Sequence, residues 1–144
     1  DSHLREILDK VKRPCIRYTE ATEENVTQAD CLIIDCYGLL SSIYRYGEIS
    51  YIGGGFGVGI HNVLEAAVYG IPVIFGPNNK KFREAQHLLE QKGGFEVTGY
   101  DDFKRLMDKF LSDEAYLQQA GKAAGNYVNH NAGALEKIMK DITL

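Results

Sequence analysis

Apolar positions change their period along this chain, and the changes mark out the elements. Leu4, Ile7, Leu8 and Val11 recur at helical spacing, which predicts one apolar stripe on a helix over residues 1–13. Ser2 is its candidate N-cap and Pro14 its stop. CIRY (15–18) reads as a short strand. The polar stretch 19–30 reads as a loop with room for one helical turn. CLIID (31–35) is continuously apolar up to its aspartate, the pattern of a strand buried on both faces at the centre of a parallel sheet.

Further on, 39–46 predicts a short helix and 49–52 a strand that runs into Gly53-Gly54-Gly55. Residues 61–69 predict a helix closed by Gly70, and 71–75 a strand ended by Gly76-Pro77. A helix follows over 80–92, stopped by Gly93-Gly94, then a short strand over 95–98. Three helices, 101–111, 113–128 and 133–142, complete the chain. Strands alternate with helices through the middle. That order predicts an α/β fold of right-handed crossovers, a parallel sheet with helices on both faces, and a helical C-terminal tail.

Composition narrows the function classes. The chain has 144 residues, 44% hydrophobic and 25% charged, which suits one ordinary globular domain. A net charge of -4 gives no basic face for nucleic acid. Cys15, Cys31 and Cys36 form no CxxC pair and read as buried free thiols of a reducing compartment. The four histidines lack metal-ligand spacing, so neither a metal nor a cofactor is expected. No apolar run reaches the ~18 residues that a membrane-spanning helix needs, and the charged N-terminus does not resemble a signal peptide. A cytoplasmic location is the expectation.

The candidate chemistry lies at Gly53 to Glu65. Three glycines end a strand, Gly57 and Gly59 follow, and a helix is expected from His61. Glycine lets a ligand approach the main chain closely. Unpaired N–H groups at a helix start suit an anion such as phosphate, at the carboxyl end of the strands where open α/β sheets bind ligands. No Gly-Lys-Ser/Thr follows, so this is not a Walker A loop. Asn62 can cap the helix or donate to a ligand oxygen. Glu65, one turn in, can accept from two ribose hydroxyls. His61 can reach a ligand or simply bond the loop. A second turn, Asp35-Cys36-Tyr37-Gly38-Leu39, belongs to the same edge of a parallel sheet. No nucleophile–base set or carboxylate pair is present, so no catalytic residue is assigned.

Together these residues resemble a known family. Asp35-Cys36-Tyr37-Gly38, Gly53-Gly54-Gly55, Gly59-Ile60-His61-Asn62-Val63-Leu64-Glu65-Ala66-Ala67, Gly70-Ile71-Pro72-Val73-Ile74-Phe75-Gly76-Pro77 and Asn131-Ala132-Gly133-Ala134 resemble the C-terminal domain of 3-deoxy-D-manno-octulosonic acid (Kdo) transferases. The resemblance covers about 30–142. It implies a Rossmann-like half of a GT-B glycosyltransferase that moves Kdo from CMP-Kdo to lipid A precursor at the cytoplasmic face of the inner membrane in Gram-negative bacteria. It implies nucleotide contacts at Tyr37, Gly38, Leu39, Asn62, Val63, Leu64 and Glu65, with Gly53, Gly54, Gly55 and His61 as a possible donor loop. It also implies that the catalytic carboxylate and the acceptor site belong to an N-terminal domain.

Where the family reads Met-Gly-Glu, this chain has Tyr37-Gly38-Leu39, which leaves backbone contacts at Leu39. Its usual Gly-Gly-Ser is Gly53-Gly54-Gly55 here, and its Pro-Arg pair has no counterpart. The whole chain, 1–144, therefore reads as a donor-binding domain truncated on its N-terminal side. A sheet edge left open in this way predicts self-association. Two other readings stay open at this level: a GT-B enzyme or epimerase using UDP- or GDP-sugars, and a non-catalytic nucleotide-binding module.

Overall fold

The computed structural model describes residues 2–142, with side chains described for all of them except 2, 135, 136, 141 and 142. The chain forms two compact units, 1–42 and 43–144. The Ser2 cap lies outside the described side chains.

In the first unit, α1 (Ser2–Lys10) stops before Pro14. Strands β1 (Cys15–Arg17) and β2 (Cys31–Ile33) pair in parallel, with Cys15 opposite Cys31 and Arg17 opposite Ile33. Two 3-10 turns, Tyr18–Glu20 and Val26–Gln28, fill the connection. Thr22 and Asn25 brace it reciprocally: Thr22 N–H donates to Asn25 Oδ1 at 2.7 Å, and Asn25 N–H to Thr22 Oγ1 at 3.3 Å. Two expectations fail here. The run CLIID is not buried on both faces, because Leu32 is 43% exposed. An apolar run is buried twice only where layers cover both sides, and this unit's sheet has two described strands. The three thiols are free but half-buried rather than buried. Burial, and after it the neighbouring Cys31, pushes the Cys15 thiol above its ordinary value.

Helix α2 (Leu40–Ile43) and the 3-10 turn Tyr44–Tyr46 carry the chain across the unit boundary. The second unit holds β3 (Ser50–Ile52), α3 (Leu64–Ala67), β4 (Val73–Phe75), α4 (Arg83–Glu90), β5 (Gly94–Glu96), α5 (Tyr100–Ser112) and α6 (Glu114–Ile142). Its sheet is parallel in the order β3-β4-β5. Strand β4 is buried on both faces, each of its residues at 0% exposure. Val73 and Phe75 enter one core with Ile52, Val63, Ala66, Leu88 and Tyr127. Ile74 enters the opposite core with Val97, Phe110 and Ala120. Helices thus cover both faces, α3 and α4 on one and α5 on the other, with α6 contributing to both. Each fully buried side chain of this size contributes about 1.5–3 kcal/mol.

Several helix boundaries differ from expectation, among them α1, which ends at Lys10 rather than at residue 13. The helix expected over 61–69 is α3, one turn from Leu64 to Ala67. The helix expected from Lys80 starts only at Arg83, because Asn79 is drawn into the interior. The helices expected over 113–128 and 133–142 are one continuous α6. Asn and Gly each cost a helix about 1 kcal/mol or less against Ala. Without a proline they do not break a helix already anchored by Ala120, Ala124 and Tyr127.

Candidate functional site

The site is built where β3 ends. Gly54 takes φ +90°, and a Cβ there would lie 2.1 Å from Gly59 O. Gly55 packs against the start of the loop after β4, where a Cβ would meet Gly76 N at 2.5 Å. Only glycine allows this double reversal. The turn closes on itself through Gly57 N–H and Gly59 N–H, which both donate to Gly54 O, and through His61 N–H, which donates to Gly53 O. The loop after β4 holds it from outside. Asn78 N–H donates to Gly55 O at 2.9 Å and Asn78 Nδ2 to Gly57 O at 2.5 Å. The Phe82 ring lies over Gly59, with Cζ 3.0 Å from where a Cβ would stand. Phe56 and Val58 are exposed at the tip.

Asn62 and Glu65 come together one step beyond. Asn62 Oδ1 accepts from Leu64 N–H at 3.0 Å, capping the entry to α3. Its Nδ2 donates to Glu65 Oε1 at 3.2 Å. The cap leaves Glu65 half-buried with its carboxylate oriented by a neutral partner. His61 sits before the helix, not in it, exposed beside Gly53 and Gly54. A one-turn helix carries little macrodipole, so an anion here would rely on individual N–H groups and side chains. The Val63 side chain is buried at 3% exposure and Leu64 packs against the same core. In their main chain, Leu64 N–H is taken by Asn62 Oδ1, and the Val63 and Leu64 carbonyls accept from Ala67 and Val68 N–H.

Ile60, His61, Asn62, Val63, Leu64, Phe82 and Glu84 line a hollow of about 340 Å³ at this point. Phe82, Glu84 and Asn78 escaped the sequence reading, as did Tyr44. Burial, and then the Glu65 charge, pushes the Tyr44 hydroxyl above its ordinary value. Its sequence signal was only that of a helical aromatic. A second, apolar hollow of about 400 Å³ lies at the ends of β3 and β5, lined by Tyr51, Phe56, Val97, Gly99, Tyr100 and Phe103.

The Tyr37-Gly38-Leu39 turn belongs to the first unit. Tyr37 is fully exposed, Gly38 takes φ +88° with open space around it, and Leu39 is half-buried. Asp35 shapes the turn from below. Its carboxylate accepts from Thr19 Oγ1 at 2.6 Å, Thr19 N–H at 3.1 Å and Arg17 Nε at 2.8 Å. The Thr19 hydroxyl above all, with Thr19 N–H and Arg17, holds the Asp35 carboxyl at about 2 despite burial. Arg17 and Thr19 lie far back in sequence and carried no signal. Among the described residues no cluster of His, Cys, Asp and Glu suits a metal, and no helix is long and apolar enough to cross a membrane.

No family model matches the chain. Sequence relatives do. A 3-deoxy-D-manno-octulosonic acid transferase of Aquifex aeolicus (strain VF5) is 37% identical over 87 residues, covering 59% of this chain and 25% of the relative. One from Rickettsia felis is 28% identical over 149 residues, covering 97% of this chain and 31% of the relative. One from Chlamydia muridarum is 29% identical over 117 residues, covering 75% and 27%. The chain thus spans about a quarter to a third of the length of these relatives. Among solved structures, the C-terminal CMP-Kdo binding domain of WaaA from Acinetobacter baumannii superposes with a TM-score of 0.67 at 20% identity, over 85% of this chain and 65% of that one. Its likeness bears on the fold, and it agrees with the α/β class expected from the sequence. By sequence the chain is similar to 3-deoxy-D-manno-octulosonic acid transferases over about a quarter to a third of their length, and it shares the fold of the CMP-Kdo binding domain.

Proposed function

We propose that this chain is the donor-binding part of a glycosyltransferase that moves Kdo from CMP-Kdo to a lipid A precursor. The observation that carries the reading is the Asn62–Glu65 pair, set directly beyond a turn that only glycine can make, in a chain similar to Kdo transferases. In this reading the Glu65 carboxylate accepts from the ribose hydroxyls. Val63 and Leu64 line the nucleotide. Gly53, Gly54, Gly55 and His61 border the phosphate and the sugar. Tyr37, Gly38 and Leu39 are nucleotide contacts in the same proposal.

The chemistry assigned to these residues is positional and electrostatic. Donors aimed at the phosphate stabilise charge as CMP leaves, and oriented hydroxyl contacts hold the sugar for attack. The catalytic carboxylate and the acceptor site fall, in this reading, to an N-terminal domain of the full-length protein, acting at the cytoplasmic face of the inner membrane of a Gram-negative cell. Pairing between open strand edges remains part of the proposal for the isolated chain.

Calorimetric titration of CMP into the full-length protein tests the reading. Saturable binding is expected, weakened by Asn62→Ala combined with Glu65→Ala. Unchanged affinity in that double variant, or tighter binding of UDP than of CMP, would overturn it.

A further inference from the structure

We propose that the buried pair Asn79–Glu96 is a positioning element that sets the shape of the glycine turn, acting through Asn78. The functional meaning rests on the donor-site reading above; the positioning itself does not. Asn79 is a polar side chain at 0% exposure. Its Nδ2 donates to Gly76 O at 2.8 Å and to Glu96 Oε2 at 2.7 Å. Its Oδ1 accepts from Gln86 Nε2 at 2.6 Å, and the same amide also donates to Asn79 O at 3.2 Å. Both amide hydrogens and the oxygen are used, so the side chain has one orientation. Glu96, the last residue of β5, also accepts from Lys80 Nζ at 2.8 Å. Asn79 therefore ties the loop after β4 to the end of the neighbouring strand.

The next residue back faces the other way. Asn78 is exposed and holds the glycine turn at Gly55 O and Gly57 O. Phe82, three residues on from Asn79, donates its N–H to Asn79 O at 3.0 Å and lies over Gly59. Both clamps on the turn are thus fixed by the Asn79 anchor. An apolar residue at this position would leave Gly76 O, Glu96 and Gln86 without their partner and would cost stability. The amide also adds a unique loop conformation.

A charge-swap cycle in the full-length protein tests the inference. Asn79→Asp sets a second carboxylate against Glu96. Glu96→Gln added to it restores a donor–acceptor pair in the reverse direction. Amide hydrogen exchange needs no nucleotide. In Asn79→Asp, the Asn78 and Gly59 amides should exchange about tenfold faster or more, the scale of one lost charge-assisted bond, while the β4 amides change little. The double variant should recover part of that protection, because the bond to residue 96 returns while Gly76 O stays without its donor. If Asn79→Asp fails to fold, Glu96→Gln alone serves. It keeps an acceptor for Asn79 but loses the Lys80 ion pair, and it should speed the same two amides by about two- to fivefold.

Unchanged exchange at Asn78 and Gly59, a rise shared equally with β4, or no recovery in the double variant would overturn the proposal. CMP affinity, measured on the same variants, tests the donor reading separately. Altered exchange with unaltered affinity would sink that reading and leave the positioning role standing.

Discussion

Asn62 donates from Nδ2 to Glu65 Oε1 at 3.2 Å while its Oδ1 caps Leu64, so one amide both starts α3 and orients the carboxylate. The two functions separate on mutation. Glu65→Gln keeps the size of the side chain and the helix cap but loses the charge that a pair of ribose hydroxyls would address. It should weaken CMP binding by about 1–3 kcal/mol, roughly 5–150-fold, with the melting temperature nearly unchanged. Asn62→Ala should weaken binding and also lower stability by about 0.5–2 kcal/mol through the lost cap. Titration calorimetry and thermal unfolding on both variants check this. A Glu65→Gln protein that binds CMP normally would remove the carboxylate from the site.

Two glycines with nearly equal φ, +90° at Gly54 and +88° at Gly38, should respond differently to alanine. At Gly38 nothing lies within 4 Å of the added carbon, so only backbone strain of about 1–2 kcal/mol applies. At Gly54 the carbon would meet Gly59 O at 2.1 Å, and the turn itself must open. Gly54→Ala should therefore cost more, about 3 kcal/mol or above, and abolish CMP binding. Denaturant melts of the two variants, run side by side, give the comparison. Equal losses would mean that the Gly54–Gly59 contact is not a constraint.

The parts of the fold that were legible in the sequence depend on local chemistry. The apolar run Val73-Ile74-Phe75 and the glycines after Ile52 announced a buried strand and a sharp turn, and both are present. The Asn62–Glu65 spacing announced their proximity. The same logic misread CLIID, because burial of Leu32 depends on how many layers surround β2 and not on its own sequence. It lengthened α3 for a related reason. His61 and Asn62 have helix-compatible neighbours, but the His61 N–H is committed to Gly53 O. The Asn79 network was invisible, since Gly76, Gln86 and Glu96 converge only after three elements have packed.

Asp35 makes the stability of the first unit depend on acid. Its folded-state carboxyl, at about 2, lies below the usual value of about 3.9 for an unfolded chain. The unfolded state therefore binds the proton first as pH falls. The stabilisation is complete above about pH 5 and disappears as pH drops through about 2. Glu96, lowered by Lys80 and then Asn79, contributes in the same direction in the second unit. Asp35→Asn should lower the melting temperature at pH 7, and the two proteins should converge as pH approaches 2. Curves that stay parallel over that range would show that the Thr19 and Arg17 bonds do not stabilise the ionised form.

The continuity of α6 is open to a direct test at Gly133. This residue lies inside the helix, is exposed, and has open space where a Cβ would stand. Helical φ is ordinary for alanine, and the substitution removes backbone freedom from the unfolded chain. Gly133→Ala should therefore stabilise the end of the helix by about 0.5–1 kcal/mol and raise the helical signal in circular dichroism. A break between 128 and 133, as the run Asn129-His130-Asn131 suggests by itself, would place Gly133 at a helix start, where glycine is tolerated and alanine is a poor cap. The same change would then lower helicity. The sign of the change separates one long helix from two short ones.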